Sequence, residues 1–378
     1  MTESDDLPVD EQRQKLAEAF DRDLDPLEQY HTDFKGTDVD PFALFFSEVL
    51  EPENPSDSTR TNYEGTVSQW RAYIADQDRH PACPNESHIK GFIRHLRTDP
   101  DDGGRGNTTA TVKQKLHRLN RIYEYWQDEA PLPHPHDYNP IRTARRKVDI
   151  SDPETKELPR IPLAELQDIV GDVTHYRSRA MVALQLKLGL RQGEVSNIQI
   201  QEIHVSNPEL RRHFPDMGTH PRLGDHEDAI YIPSRDERDG NKSRRPRLLP
   251  LDAELRRVLL RYLLVRPQNG EPWLFLTLKT HGKITDNATI NDVWHDAFHP
   301  KYAETEDHKG VTSHFGRHWF TTYWSVEQDV NRELVQYMRG DTAGSRHIED
   351  RGAIDEYIHT YYQDIEDLYR ERIFPLGL

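Results

Sequence analysis

The sequence holds one cysteine, Cys83, among 378 residues. A single thiol excludes an intramolecular disulfide and a thiolate metal cluster, and leaves Cys83 to be expected as a small buried side chain. Long apolar runs are missing too. Hydrophobic residues make up 34%, the mean hydropathy is -0.90, and no window approaches the roughly 20 apolar residues that a membrane-spanning helix requires. The opening stretch MTESDDLPVDEQRQKLAEAF has no basic start followed by an apolar run, so no secretory signal is read there and a cytoplasmic location is expected. Gly-rich phosphate loops, a Rossmann fingerprint and internal repeats are also absent, which argues against an NTP-driven or NAD-dependent enzyme.

Positive charge is in deficit. With 49 Lys and Arg against 66 Asp and Glu, the formal net charge is -17, a balance that speaks against nucleic acid if charge is averaged over the whole chain. Its distribution says otherwise. Carboxylates crowd the first 57 residues, whereas IRTARRK (141–147) and KSRRPR (242–247) are dense in cations. Arg142, Arg145, Arg146 and Lys147 in the first run, and Arg244 and Arg245 in the second, are local positive patches, as are Lys113 and Arg118 on a helix: either solvated surface or, if the chain does meet a nucleic acid, its candidate phosphate contacts. An acidic chain that prefers arginine to lysine also fits a salt-rich cytoplasm, so a halophilic source is expected.

Hydrophobic spacing divides the chain. Residues 1–45 are polar and acidic, with one short helix near Glu11 to Phe20, and are read as a flexible arm. In 46–140, Tyr63, Val67, Trp70 and Ile74, then Ile89, Phe92, Ile93 and Leu96, then Val112, Leu116, Leu119, Tyr123 and Trp126 recur at helical spacing. This reads as a small all-helical domain ending at the Pro-rich APLPHPHDYNP. A basic-to-acidic linker, 141–157, leads to a second domain, 158–378, that is mainly α with a small β-hairpin or sheet. There RSRAMVALQLKLGL is a buried helix stopped at Gly189, AIYIPSR and RPRLLPL flank a Gly-Asn turn, and Asp252 caps AELRRVLLRYLLV.

Three islands of the second domain suit phosphate chemistry. LGLRQGEV carries Arg191, with Glu194 one turn on; TSHFGRHWF carries His314 and Arg317 on one helix face; EYIHTYY brings a cluster of tyrosines. Two arginines can hold the non-bridging oxygens of one phosphodiester and oppose charge growing in a pentacoordinate transition state. A tyrosine, inert at its usual pKa near 10, becomes a nucleophile only beside a base and a cationic pocket.

In these islands the chain resembles the tyrosine recombinases, or phage-type integrases, from about Thr59 to Tyr369. LGLRQGEV looks like the family's first arginine box, HFGRHWF like its His-x-x-Arg-His box, and Tyr357-Ile358-His359 like its terminal Tyr-x-His pattern. The resemblance implies a SAM-like helical core-binding domain and a catalytic domain that form a C-shaped clamp on duplex DNA. It implies Tyr357 as nucleophile, Arg191 and Arg317 as the phosphate clamp, His314 as a proton carrier and Lys242, in the hairpin, as general acid. Glu194 is a support for the arginine pocket. Asp341, in YMRGD, stands where the family usually has a histidine or tryptophan that donates to phosphate, and an ionised aspartate cannot donate and would repel phosphate; either it accepts from Arg339 or Arg317, or the donor comes from elsewhere, such as His347 in the inserted TAGSRHIEDRGA. The insertion leaves Tyr361 and Tyr362 as lesser candidates, and Tyr369 as packing. Neither ATP nor metal is required; His295 and His299 have zinc-like spacing but no clear third ligand. The family further implies a homo-tetramer on two DNA sites, with DLYRERIFPLGL docking on a neighbouring subunit, and leaves open an accessory directionality protein. Rival readings are a chromosome-dimer resolvase of the same kind, a cleavage-deficient sequence-specific DNA-binding protein and an acidic helical scaffold.

Overall fold

The computed structural model describes residues 8–150, 156–286, 288–341 and 351–378, the side chains of 9, 10 and 351–357 excepted. It divides into two units, Met1–Thr155 and Lys156–Leu378.

In the first unit, side chains at helix starts satisfy backbone N–H groups that a helix leaves unpaired. Ser56 accepts from Thr59, Thr108 from Thr111 and Asn139 from Arg142, while Asn85 and His88 form a reciprocal capping box. The helices so started, Asp57–Ala75, Glu86–Arg97, Thr109–Asp128 and Pro140–Lys147, enclose a core built on Trp70, Phe92, Tyr123 and Trp126. Cys83 is fully buried there, and burial pushes its thiol up to about 12.

Two stretches differ from the sequence reading. Besides the short helix expected near Glu11 to Phe20, found as Val9–Ala19, the expected flexible arm contains helices His31–Gly36 and Pro41–Phe45, and it delivers Leu27, Phe34, Phe42 and Phe45 to the core. The Trp126 indole donates to the Pro41 carbonyl at 3.0 Å, and Asp25 receives Arg79 at 2.6 Å and Asn85 at 2.7 Å. Leu27 and Phe34 stand singly in an acidic background and set no helical period, whereas Phe42, Phe45, Phe46, Val49 and Leu50 do fall at helical spacing, a signal the sequence reading passed over. Likewise the expected linker begins as the helix Pro140–Lys147, whose Ile141 and Ala144 are buried; of its remainder, 151–155 lie outside the described residues.

The second unit is wrapped around the helix Tyr176–Leu188, in which every residue from Ala180 to Leu188 is buried. It packs against Ala253–Val265 and Ser313–Thr322. Gly189 ends it in the left-handed region, φ 63°, where an added Cβ would lie 2.7 Å from the Phe320 ring; only glycine reverses the chain there without strain. Mainly helical architecture with a small sheet is what the sequence predicts, but the sheet has three antiparallel strands, β1 (Ile203–His204), β2 (Ala229–Ile232) and β3 (Arg247–Pro250), in that order. Ile232 pairs with Arg247, so residues 233–246 make a wide connection rather than a tight Gly-Asn hairpin. The terminal segment also departs from expectation. Tyr369, Phe374 and Leu376 fill the core of their own unit, and the Leu376 and Leu378 amides donate to Glu254 at 2.7 Å each, where the resemblance implied docking on a neighbour.

Candidate active site

Four residues picked from three distant sequence stretches line one pocket of 330 Å³: Arg191, Lys242, His314 and Arg317. Each is positioned by a different element. Arg191 follows the Gly189 turn as N-cap of the helix Gln192–Asn197. Arg317 lies on the inner face of Ser313–Thr322, 2% exposed, while His314, one turn earlier, is exposed. Lys242 is exposed in the wide β2–β3 connection, between two buried anchors. One is Asn241, which accepts from the Asn197 amide at 3.0 Å and donates to Pro233 at 2.8 Å. The other is Ser243, whose hydroxyl donates to Glu194 and accepts from Arg191 at 2.7 Å.

Glu194 has a different main partner from the one its spacing suggested. Its carboxylate accepts from the Arg191 amide at 2.8 Å but sits 3.5 Å from the Arg191 guanidinium; Arg247 engages both its oxygens, at 3.1 and 2.8 Å. Glu194 and Arg247 are 1% and 0% exposed. Burial pushes the Glu194 carboxyl up, but Arg247, Arg191 and the Ser243 hydrogen bond outweigh it and bring it down to about 2. Arg247 also donates to the Met338 carbonyl at 2.8 Å, which joins β3 to the helix Arg332–Arg339.

The two candidate clamp arginines are held in parallel ways. Arg317 donates to the carbonyls of Gly189 and Arg339, both at 2.8 Å; Arg191 donates to Ser243 and, at 3.3 Å, to the same Arg339 carbonyl. Their other termini converge on Asp341, at 2.6 Å from Arg317 and 2.7 Å from Arg191. Burial first, then repulsion from Arg191, lowers the Arg317 pKa, so the cluster favours an anion. His314 is lowered by partial burial, by His318 and by the surrounding arginines; at neutral pH its ring can accept a proton.

Of the tyrosines, Tyr357 lies in the helix Arg351–Arg372, and its side chain is outside the described residues, as is His347. Tyr362 and Tyr369 are buried, 0% and 1% exposed, and desolvation raises both hydroxyls. Tyr361 stacks on Tyr337 with ring centres 4.8 Å apart. His359 places Nδ1 3.3 Å from His226 Nε2.

Tyr337 was not singled out from the sequence. Its buried hydroxyl accepts from the Leu248 amide and has the carbonyls of Leu248 and Ile358 as the two acceptors within reach of its one proton, each contact at 3.1 Å. It thereby ties β3 to the backbone one residue beyond Tyr357. Ser243 and Arg247 were likewise missed as site supports; their neighbours in KSRRPRLLP offer no signal that separates a buried arginine from an exposed one.

The candidate DNA contacts divide. Lys113, Arg145, Arg146 and Lys147 line a groove of 520 Å³ in the first unit, and Arg142 is exposed on the same helix. Lys147 is already paired with Glu86 at 2.8 Å, and Arg118 donates to Thr66 and Gln114 at 3.3 and 3.4 Å. Arg244 is exposed and Arg245 partly so. His295 and His299 stack at 4.4 Å, and a His299 ring nitrogen lies 3.0 Å from the Val311 carbonyl.

Comparison with known proteins follows this geometry. No family model matches the chain. Tyrosine recombinase XerD of Oceanobacillus iheyensis is 22% identical over 337 residues, 86% of this chain and 95% of that protein. Among solved structures, the Tn1549 transposon integrase in complex with transposon right end DNA matches with a TM-score of 0.55 at 18% identity, covering 85% of this chain and 100% of the other. A lambda integrase tetramer bound to a Holliday junction matches with a TM-score of 0.54 at 13% identity, covering 92% of this chain and 91% of the other. The fold is that of these integrases.

Proposed function

We propose that this chain, whose fold and sequence comparisons support the tyrosine recombinase/integrase family, is a site-specific DNA recombinase that cuts and rejoins duplex DNA through a 3'-phosphotyrosyl intermediate. The observation that carries the proposal is the pocket in which Arg191, Lys242, His314 and Arg317 meet from separate elements.

In the proposed reaction the Tyr357 hydroxyl attacks a scissile phosphate, forming the tyrosyl–phosphorus bond as the bond to the 5' oxygen breaks. Arg191 and Arg317 neutralise charge on the non-bridging oxygens. His314, near-neutral at physiological pH, takes part in moving the tyrosine proton, and Lys242 gives a proton to the departing 5' oxygen. A 5' hydroxyl from a partner strand then reverses the attack. The ester conserves the energy of the broken bond, so no nucleotide hydrolysis is needed.

Several further features belong to the same reading. The groove at Lys113, Arg145 and Arg146, with Arg142 beside it, is proposed to contact the DNA backbone, as are Arg244 and Arg245, which follow Lys242 in the β2–β3 connection. A homo-tetramer on two DNA sites is proposed by analogy with the lambda integrase tetramer bound to a Holliday junction, and an accessory directionality protein is proposed on the family resemblance alone. No helix among the described residues is long and apolar enough to cross a membrane, and a cytoplasmic site of action accords with that. The charge of -17 supports a halophilic source; folding that depends on molar KCl tests it.

Covalent trapping tests the chemistry. Wild type and Tyr357→Phe are incubated with nicked duplexes drawn from the DNA flanking the coding sequence and resolved on a denaturing gel. A protein–DNA adduct formed by wild type and abolished in Tyr357→Phe is expected. An adduct that survives the substitution moves the nucleophile to Tyr361 or Tyr362, and sequence-specific binding without an adduct replaces the reading by a cleavage-deficient DNA binder.

A further inference from the structure

Asp341 sits where an aspartate is least expected, at the focus of a phosphate clamp. The helix Arg332–Arg339 is ended by Gly340 in the left-handed region, φ 67°, and an added Cβ there would collide with Arg247 and Ser243. This turn sends the next side chain back into the site. Oδ1 of Asp341 accepts from Arg191 at 2.7 Å and Arg317 at 2.6 Å, and Nε of Arg339 lies 3.0 Å from Oδ2 without aiming its N–H at it. Three guanidiniums from three elements therefore share one carboxylate.

The other termini of Arg191 and Arg317 are fixed by Ser243, Gly189 and the Arg339 carbonyl, which are neutral acceptors. Those bonds do not depend on Asp341. The termini it occupies are the ones left to a ligand, and its side chain is 27% exposed while Arg317 is nearly sealed at 3%. A carboxylate and a phosphodiester each offer two acceptor oxygens and one negative charge, so both fit the arginines and neither tolerates the other.

We propose that Asp341 is a built-in occupant of a three-arginine anion site formed by Arg191, Arg317 and Arg339, and that it swings out when the scissile phosphate enters. The inference rests on the recombinase reading only for the identity of the incoming phosphate. In the resting protein the carboxylate keeps mutually repelling arginines aligned. The same contact lowers affinity for any phosphate by the fraction of molecules in which the site is open. Arg339 thereby becomes a binding residue of the site.

The test uses the full chain and inorganic phosphate as probe, by calorimetric titration and thermal shift, on wild type, Asp341→Asn and Asp341→Ser. Both variants are expected to bind phosphate about tenfold or more tightly than wild type, and the gain is expected to be lost when Arg339→Gln is added. Equal phosphate affinity in wild type and in folded variants overturns the inference, and so does a gain indifferent to Arg339. Should the variants not fold, the carboxyl carbon of isotopically labelled wild-type protein is followed by NMR: an Asp341 signal that shifts at saturating phosphate supports displacement, and one that stays fixed refutes it. Trapping on nicked DNA is run in parallel. A phosphate gain without any DNA adduct leaves the anion site standing and removes the recombinase reading; an adduct without a phosphate gain does the reverse.

Discussion

Glu194 and Arg247 form an ion pair sealed from solvent, and breaking such a pair from one side leaves a charge with no water to receive it. Arg247→Met is expected to lower stability by about 3–5 kcal/mol, whereas the double replacement Glu194→Leu with Arg247→Met recovers most of it. Denaturant unfolding of the three proteins checks this. If the chain cleaves DNA as proposed, the double variant should still fail in it, because Ser243 loses the carboxylate that orients its hydroxyl toward Arg191. Acid offers a second view. Folding holds the Glu194 carboxyl at about 2 against an ordinary 4.5, so its stabilisation is complete above roughly pH 5 and drains away as pH falls toward 2. The acid-unfolding curve of Glu194→Gln is expected to be flatter in that window. At His314 burial and neighbouring cations lower the ring, so the rate of adduct formation should stay level to below pH 6.5 before falling, and His314→Gln should remove that limb. That Arg191, Arg317 and His314 come together in one pocket could be expected from the sequence, because they lie in compact boxes beside a helix end or on one helix face. Arg247 was not, because a charged residue between proline and leucine reads as exposed until a strand partner and a facing helix are known.

Elements, more than single side chains, set the distances in this site, and Tyr337 is where three of them meet. Its hydroxyl lies within reach of two groups of β3 and one of the helix Arg351–Arg372. Tyr337→Phe removes a buried donor and acceptor and strands the Leu248 and Ile358 groups. A cost of about 1–3 kcal/mol is expected, with faster amide exchange concentrated in Arg351–Arg372; exchange rising uniformly across the unit speaks against a local tie. Long periodic helices such as Asp57–Ala75 and Thr109–Asp128 were readable from apolar spacing alone. Of the helices of 9–50, the first was legible near Glu11 to Phe20. His31–Gly36 was not, since Leu27 and Phe34 are scattered among acidic residues whose partners, such as Arg79 for Asp25, lie far along the chain, and Pro41–Phe45 was passed over although its apolar spacing continues to Leu50.

For the whole molecule, an acidic chain is proposed to bind a polyanion, and local arrangement has to overcome the mean. If the groove beside Pro140–Lys147 touches DNA, replacing Arg142, Arg145 and Arg146 by glutamine should flatten the dependence of log affinity on log salt by about 0.9 per lost contact. Lys147, already bound to Glu86, should contribute less. The first unit should also depend on its acidic beginning: Leu27→Ala is expected to cost about 2–5 kcal/mol, measurable as a lower unfolding midpoint.

The pairing of Ile232 with Arg247 has a consequence for how the active site can change over time. Side chains alternate across a strand, so an insertion or deletion of one residue in β3 would turn Arg247 outward and present an apolar neighbour to Glu194. Substitutions can reshape the groove residue by residue, but length changes near β3 would dismantle the clamp in one step. Changes in length are therefore expected to be tolerated only in the wide connection 233–246, away from its buried anchors Asn241 and Ser243. That loop can lengthen while the arginines hold still.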